Sequence, residues 1–202
     1  MHSNVKKNNG GFTLVELMIV ITIIMILSTT VTLSISNFVL ERRGEVQVVA
    51  FYNQLKTMRT FAQRDDAMYV LRFTNNAAAA GTPMPFTITR HRPSPTVPPI
   101  PEAVDGVAVP NLFSDQAVVS GALRASALTT ATLTTPNGNI VAVTAWAEGI
   151  VFQNDEIGTI GQGAVFLRNP NINDINYVIV RPARINEIQL WRQRGGGAWT
   201  QL

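Results

Sequence analysis

The residues with chemistry to offer are few and lie toward the two ends of the chain. Glu16 is the only charge between residues 12 and 40, in a segment otherwise made of apolar, hydroxyl and amide side chains. An ionised carboxylate in such surroundings is costly unless it has a partner or a task. At the other end, Arg181, Arg184, Arg192 and Arg194 are accompanied after residue 180 by a single acid, Glu187, with Trp191 and Trp199 among them. A basic, aromatic tip of this kind could contact phosphates and stack on bases, although four arginines on a solvated terminal hairpin are more often plain surface charge.

Enzymatic chemistry finds little material in the rest of the chain. There are no cysteines and only two histidines, His2 and His91, which excludes a cysteine nucleophile, thiolate metal sites and multi-histidine sites. No G-x-S-x-G elbow, Walker loop or H-E-x-x-H motif occurs. GTIGQG at residues 158–163 lacks the dinucleotide-loop spacing and leads into strand-like GAVFLR rather than a helix, so it reads as a β-turn. Asp155, Glu156 and Asp174 are too scattered to assign a calcium site. The expectation is a protein that is not an enzyme and carries no cofactor or metal.

The elements that must position Glu16 begin with a short basic leader, MHSNVKKNNGG, followed by a long apolar run. Residues 17–40 are 24 positions without a charge, enough helix at about 1.5 Å per residue to cross a hydrocarbon core of about 30 Å. Lys6 and Lys7 precede the run, and acids and bases are mixed after it, which favours a cytoplasmic amino terminus. A removable secretory signal would have the same opening. However, the charge of Glu16 lies inside the apolar run and Gly10 and Gly11 lie before it, so processing at the glycines leaves the helix on the mature chain. The net charge of +3 falls to +1 without Lys6 and Lys7 and says little about a nucleic-acid partner.

Beyond the apolar run, Val48, Phe51, Leu55, Met58 and Ala62 recur at spacings of three and four with polar residues between them. This is one amphipathic face for packing. A nearly continuous helix over residues 12–64 is expected, with Gly44 as a weak point, ended by Asp65 and Asp66. Alternating runs then read as strands: MYVLRFT from Met68, FTITRH from Phe86, IVAVTA from Ile140, GIVFQ from Gly149, GAVFLR from Gly163, INYVIVR from Ile175 and RINEIQLW from Arg184. PNGN at residues 136–139 and NPNIND at residues 169–174 supply turns. Eight of the eleven prolines lie in residues 83–110 and make that segment a stiff surface loop. The alanine run at residues 77–80 and the threonine-rich LTTATLTTPNG from Leu128 are compositionally biased.

Helix first and strands afterwards give an α+β fold. Its long amino-terminal α-helix spans a membrane with its first half and packs by its second half against an antiparallel β-sheet head. The corresponding boundaries are a leader at 1–11, a transmembrane and assembly helix at 12–40, an amphipathic helix half at 41–64, and a β-rich head at 65–202.

Gly11, Phe12, Thr13, Leu14, Val15 and Glu16, after a basic leader and before an apolar helix, resemble the class III signal of type IV pilins and type II secretion pseudopilins. The resemblance is strongest over the first fifty or so residues. It implies cleavage after Gly11 by prepilin peptidase, N-methylation of the new terminal Phe12, and assembly with other pilins or pseudopilins by bundling of amino-terminal helices. It also implies that the Glu16 carboxylate of one subunit meets the Phe12 amine of a neighbour. Burying charge costs several kcal/mol unless it is paired, so that contact would set register more than stability.

In the head, Val178, Val180, Arg184 and Ile185 match the closing pattern of H-type pseudopilins and FimT-like minor pilins, with Ala183 where glycine is common. The implied function is a minor pseudopilin-like structural subunit of a type II secretion pseudopilus. It would sit in the bacterial inner membrane as a single-pass protein with its head outside the cytoplasm, contacting lipid before assembly and the secretion or pilus machinery afterwards. The alternative is a FimT-like minor type IV pilin, with DNA contacted through Arg184, Arg192 and Arg194.

Overall fold

The computed structural model describes residues 11–73, 80–92, 107–108, 121–144, 147–153, 156–161, 164–181 and 187–202, with side chains at 30–34, 107–108, 147–148 and 156–161 also outside the description. Met1–Leu40 forms one compact unit and Glu41–Leu202 a second. The first element, α1 (Leu14–Asp65), is a single 52-residue helix. It is closed by Asp66, which takes a φ of 44°, while the Ala67 amide donates to the Ala62 carbonyl at 3.2 Å. That is the left-handed helix ending in which an orphan carbonyl of the last turn regains a donor.

In the first unit the described helical side chains stand exposed, among them Leu14, Ile19, Ile24 and Leu27. Among the described residues, no helix is long and apolar enough to cross a membrane. The apolar side chains of the first unit are interspersed with Thr22, Ser28 and Thr29, whose hydroxyls donate to the carbonyls of Met18, Ile24 and Ile26 at 2.8, 2.7 and 2.8 Å. The charges of Glu41, Arg42 and Arg43 follow on the same helix. This corrects the expected membrane-spanning first half and the single-pass inner-membrane topology with its external head. It equally corrects fibre incorporation by way of such a span, in both the secretion and the pilus versions.

The second unit is α+β. After the helix come β1 (Met68–Phe73), β2 (Phe86–His91), β3 (Val107–Ala108), β4 (Arg124–Ala125), β5 (Thr130–Thr134), β6 (Ile140–Thr144), β7 (Ala147–Gln153), β8 (Glu156–Gly161), β9 (Ala164–Arg168), β10 (Ile175–Val180), β11 (Gln189–Arg194) and β12 (Thr200–Gln201). One sheet has the order β3-β2-β1-β7-β8, a second β12-β11-β10-β9-β4, and β5 pairs with β6 alone. The described pairings are antiparallel.

The helical stripe Val48, Phe51, Leu55, Met58 and Ala62 is buried with Leu71, Phe73 and Phe152 of the first sheet and Leu167, Tyr177 and Leu190 of the second. Each large side chain removed from water there contributes about 1.5–3 kcal/mol. Phe51 packs its ring 5.3 Å from Phe86 and 6.0 Å from Phe73. The opposite face of the second sheet, through Phe166, Val178 and Trp191, is covered by Ala131, Leu133 and Val143 of the β5–β6 hairpin. Strand β10 is therefore apolar at successive positions because it is buried on both faces.

Gly44 is no weak point of the helix. A Cβ there would run into Oδ1 of Asn169, and Asn169 is fully buried. Its Nδ2 donates to the Glu41 carbonyl at 3.1 Å, while its Oδ1 accepts from the amides of Asn171 and Ile172 at 2.9 and 3.1 Å. One side chain thus builds the β9–β10 turn and docks the helix, which requires glycine for the close approach. In the β5–β6 hairpin Pro136 sits second in a turn where the Gly138 amide donates to the Thr135 carbonyl at 2.8 Å. Gly138 has φ 77°, the left-handed position that closes a type I turn hairpin.

Three sequence expectations differ from the structure. The threonine-rich segment contains β5, whose alternation of exposed threonines with buried Ala131 and Leu133 is a strand period hidden by biased composition. GTIGQG contributes residues 158–161 to β8 rather than forming a turn. β11 begins at Gln189, with Glu187 and Ile188 of the expected strand ahead of it and Arg184 outside the described residues. Of the proline-rich loop 83–110, residues 86–91 and 107–108 form strands, and the rest of SPTVPPIP lies outside the described residues.

Candidate functional site

At the amino-terminal end Gly11 stands open, with no atom near the place a Cβ would occupy, and Phe12 is 87% exposed. A peptide bond between them is sterically accessible. The helix starts two residues later. The Thr13 amide and hydroxyl both donate to Glu16 Oε2, at 2.8 and 2.9 Å, and the Glu16 amide donates to Thr13 Oγ1 at 3.2 Å. This reciprocal arrangement is a capping box, in which two otherwise orphaned amides of the first turn are satisfied by side chains.

The structure therefore gathers Gly11, Phe12 and Glu16 at one helix start and gives Thr13 of the same motif a capping role that the sequence reading did not assign. Its signal was present in Thr13-Leu14-Val15-Glu16, a T-x-x-E spacing before an apolar run. A carboxylate at this end also meets the positive pole of the helix dipole.

The arginines at the other end are engaged within the second unit. Arg192 Nη1 lies 3.2 Å from Glu45 Oε1, and Arg194 Nη1 lies 3.2 Å from Glu41 Oε2, with Asp174 at 4.0 Å from its Nε. Glu45 also receives Arg42 at 3.1 Å. Trp191 is buried at 1% exposure in the second core, so it offers no face to a base. Arg184 lies outside the described residues. The acids that meet these arginines were missed because they stand 147 and 153 positions away, a separation that no local spacing reveals.

The same docking region holds Tyr177, whose hydroxyl is pushed up by burial, partly offset by a hydrogen bond from Asn169. At the carboxyl end of the helix, Arg64 and the Tyr69 hydroxyl hold the Asp65 carboxyl down to about 2. Both groups belong to the packing of the helix on the sheets. Among the described residues, no group of three or more histidine, cysteine, aspartate or glutamate side chains could hold a metal ion.

No curated protein and no solved structure matches the chain. The profile of the prokaryotic N-terminal methylation motif matches residues 6–32, the stretch that contains Gly11, Phe12, Thr13 and Glu16. That motif points to the broad type-IV-pilin-like superfamily and stops short of the H-type subgroup within it.

Proposed function

We propose that the chain is a non-enzymatic, pilin-like subunit whose leader is removed between Gly11 and Phe12 by a prepilin peptidase. The new Phe12 amine is then methylated, and the exposed helix segment bundles with the amino-terminal helices of similar chains. The observation that carries this reading is the methylation-motif match over residues 6–32. The open Gly11 and the exposed apolar side chains from Phe12 to Leu27 support it, since contiguous exposed apolar surface of this extent marks an interaction surface. The finer reading, an H-type minor member, rests on Val178 and Val180 of β10 and on Arg184 and Ile185 beyond the described residues.

Mass spectrometry of chain purified from cells that contain a prepilin peptidase tests the proposal. The expected terminus is Phe12 carrying one methyl group. An intact Met1, or a terminus beyond residue 30, overturns it. Glu16→Ala is expected to abolish crosslinking between subunits while the β-rich body unfolds at an unchanged denaturant concentration.

A further inference from the structure

A groove of about 420 Å³ opens in the β-rich body beside the β5–β6 hairpin. Its lining includes Thr130, Thr132 and Thr134 of β5, Gln193 of β11, and Gly197 and Trp199 ahead of β12. The volume falls within the range of about 300–1,000 Å³ common for small-molecule sites.

The lining is chemically selective. None of its side chains is ionisable, so a phosphate, a carboxylate or an ammonium group would give up hydration without gaining a counter-charge. An apolar ligand would strip water from a row of threonine hydroxyls and give them nothing to bond. A ligand that is neutral, hydroxylated and flat on one side meets both constraints. Thr130, Thr132 and Thr134 repeat on one face of a strand, at steps of about 7 Å, and sit on a hairpin anchored by Ala131 and Leu133. Gln193 donates Nε2 to the Gly197 carbonyl at 2.8 Å, which holds the amide in place and leaves its carbonyl oxygen and second N–H for a ligand. Trp199 packs its ring against the second core, so its indole is already ordered before anything binds and little entropy is lost on binding.

We propose that this groove binds a neutral saccharide. The Trp199 ring takes the apolar face of one sugar, and the threonine hydroxyls and the Gln193 amide exchange hydrogen bonds with sugar hydroxyls. The site is independent of amino-terminal processing.

The full-length chain is titrated with methyl glucoside, maltose and cellobiose to about 50 mM, a range suited to the weak affinities of small open sites. Tryptophan fluorescence and ligand-observed NMR report binding. At least one of the three sugars is expected to bind, and glucuronate, its carboxylate unmatched, at least about fivefold more weakly. Trp199→Ala is expected to weaken binding at least about tenfold. Thr132→Val, at an exposed position that leaves the packing intact, is expected to weaken it about threefold. Affinity that rises from the disaccharide to its tetramer assigns a polymeric glycan as the source, and equal affinities assign a free sugar. Silence with all three sugars overturns the proposal. So does glucuronate binding as tightly as the glucoside, or undiminished binding by both variants.

Discussion

One helix runs through two environments. From Leu14 to Leu27 the large apolar side chains of the first unit are exposed by roughly half or more, while Phe51, Leu55, Met58 and Ala62 in the second unit are at 0%. Both stretches are apolar, yet the second carries its apolar residues as a stripe among polar ones, and the first carries them all round. A stripe needs one surface, and the chain's own sheets provide it. An all-round apolar helix needs partners on every side, and the exposed stretch finds none among the described residues of its own unit. Apolar content therefore serves folding in one region and stays at the surface in the other.

The sharpest way to break that comparison is truncation at matched positions. Leu55→Ala is expected to cost about 2–5 kcal/mol in denaturant unfolding, as buried large-to-small changes do. Ile24→Ala, at a site 56% exposed, is expected to shift the same transition by less than about 0.5 kcal/mol and to weaken crosslinking between subunits instead. Equal costs at the two sites would dissolve the distinction.

Gly44→Ala sharpens it at the start of the second unit. Alanine is the better helix former by about 1 kcal/mol, so an exposed glycine would gain from the change. Here the added methyl meets Asn169, whose amide is fixed by bonds to the turn and to the Glu41 carbonyl. A net loss of about 1–3 kcal/mol is expected from overpacking. A stabilised variant would mean that Asn169 yields freely.

Arg192→Ala and Glu45→Ala probe the ionic side of the same docking. The pair is partly exposed, 34% and 12% by side chain, so a double-mutant cycle is expected to give about 0.5–1 kcal/mol of coupling, declining with salt. No coupling at low salt would make the contact incidental and free Arg192 for other anions. With the coupling present, binding of duplex DNA by the full-length chain is expected to be weak, because Arg192 and Arg194 already face carboxylates and Trp191 is enclosed.

The smallest effect concerns the end of the helix. Asp65 has its carboxyl lowered from the ordinary 3.8 to about 2, first by Arg64 and then by Tyr69. Its contribution is complete above pH 3.8 and is lost as pH falls through about 2. Asp65→Asn should flatten the pH dependence of the unfolding midpoint in that window, slightly lowering stability at neutral pH and leaving it nearly unchanged below about pH 2. An unaltered slope would assign the acid sensitivity to other carboxylates.

Much of the fold was legible because its signals are local. Helix periodicity, the short apolar runs of β1 and β10, and the Pro-Asn-Gly turn at 136–138 are each written within a few residues. The capping box was equally local and was overlooked because Glu16 drew notice as a lone charge rather than as the third residue after a threonine start. β5 was masked by threonine composition, although its buried Ala131 and Leu133 keep a strict period of two. The start of β11 was misjudged because alternation in RINEIQLW continues across a boundary that pairing with β10 sets.

By itself the sequence determined that residues 6–32 match the prokaryotic N-terminal methylation motif, that a long helix is present, and that strands come after it, since each depends on side chains within a few turns of one another. Only the tertiary structure decided which surfaces those elements keep. Asn169 made Gly44 obligatory, Glu41 and Glu45 claimed the terminal arginines, and the β5–β6 hairpin buried Trp191 while leaving Trp199 at the edge of an uncharged groove. These outcomes join residues more than a hundred positions apart, or place two neighbours on opposite sides of a packed layer, and such proximity exists only once the chain has folded.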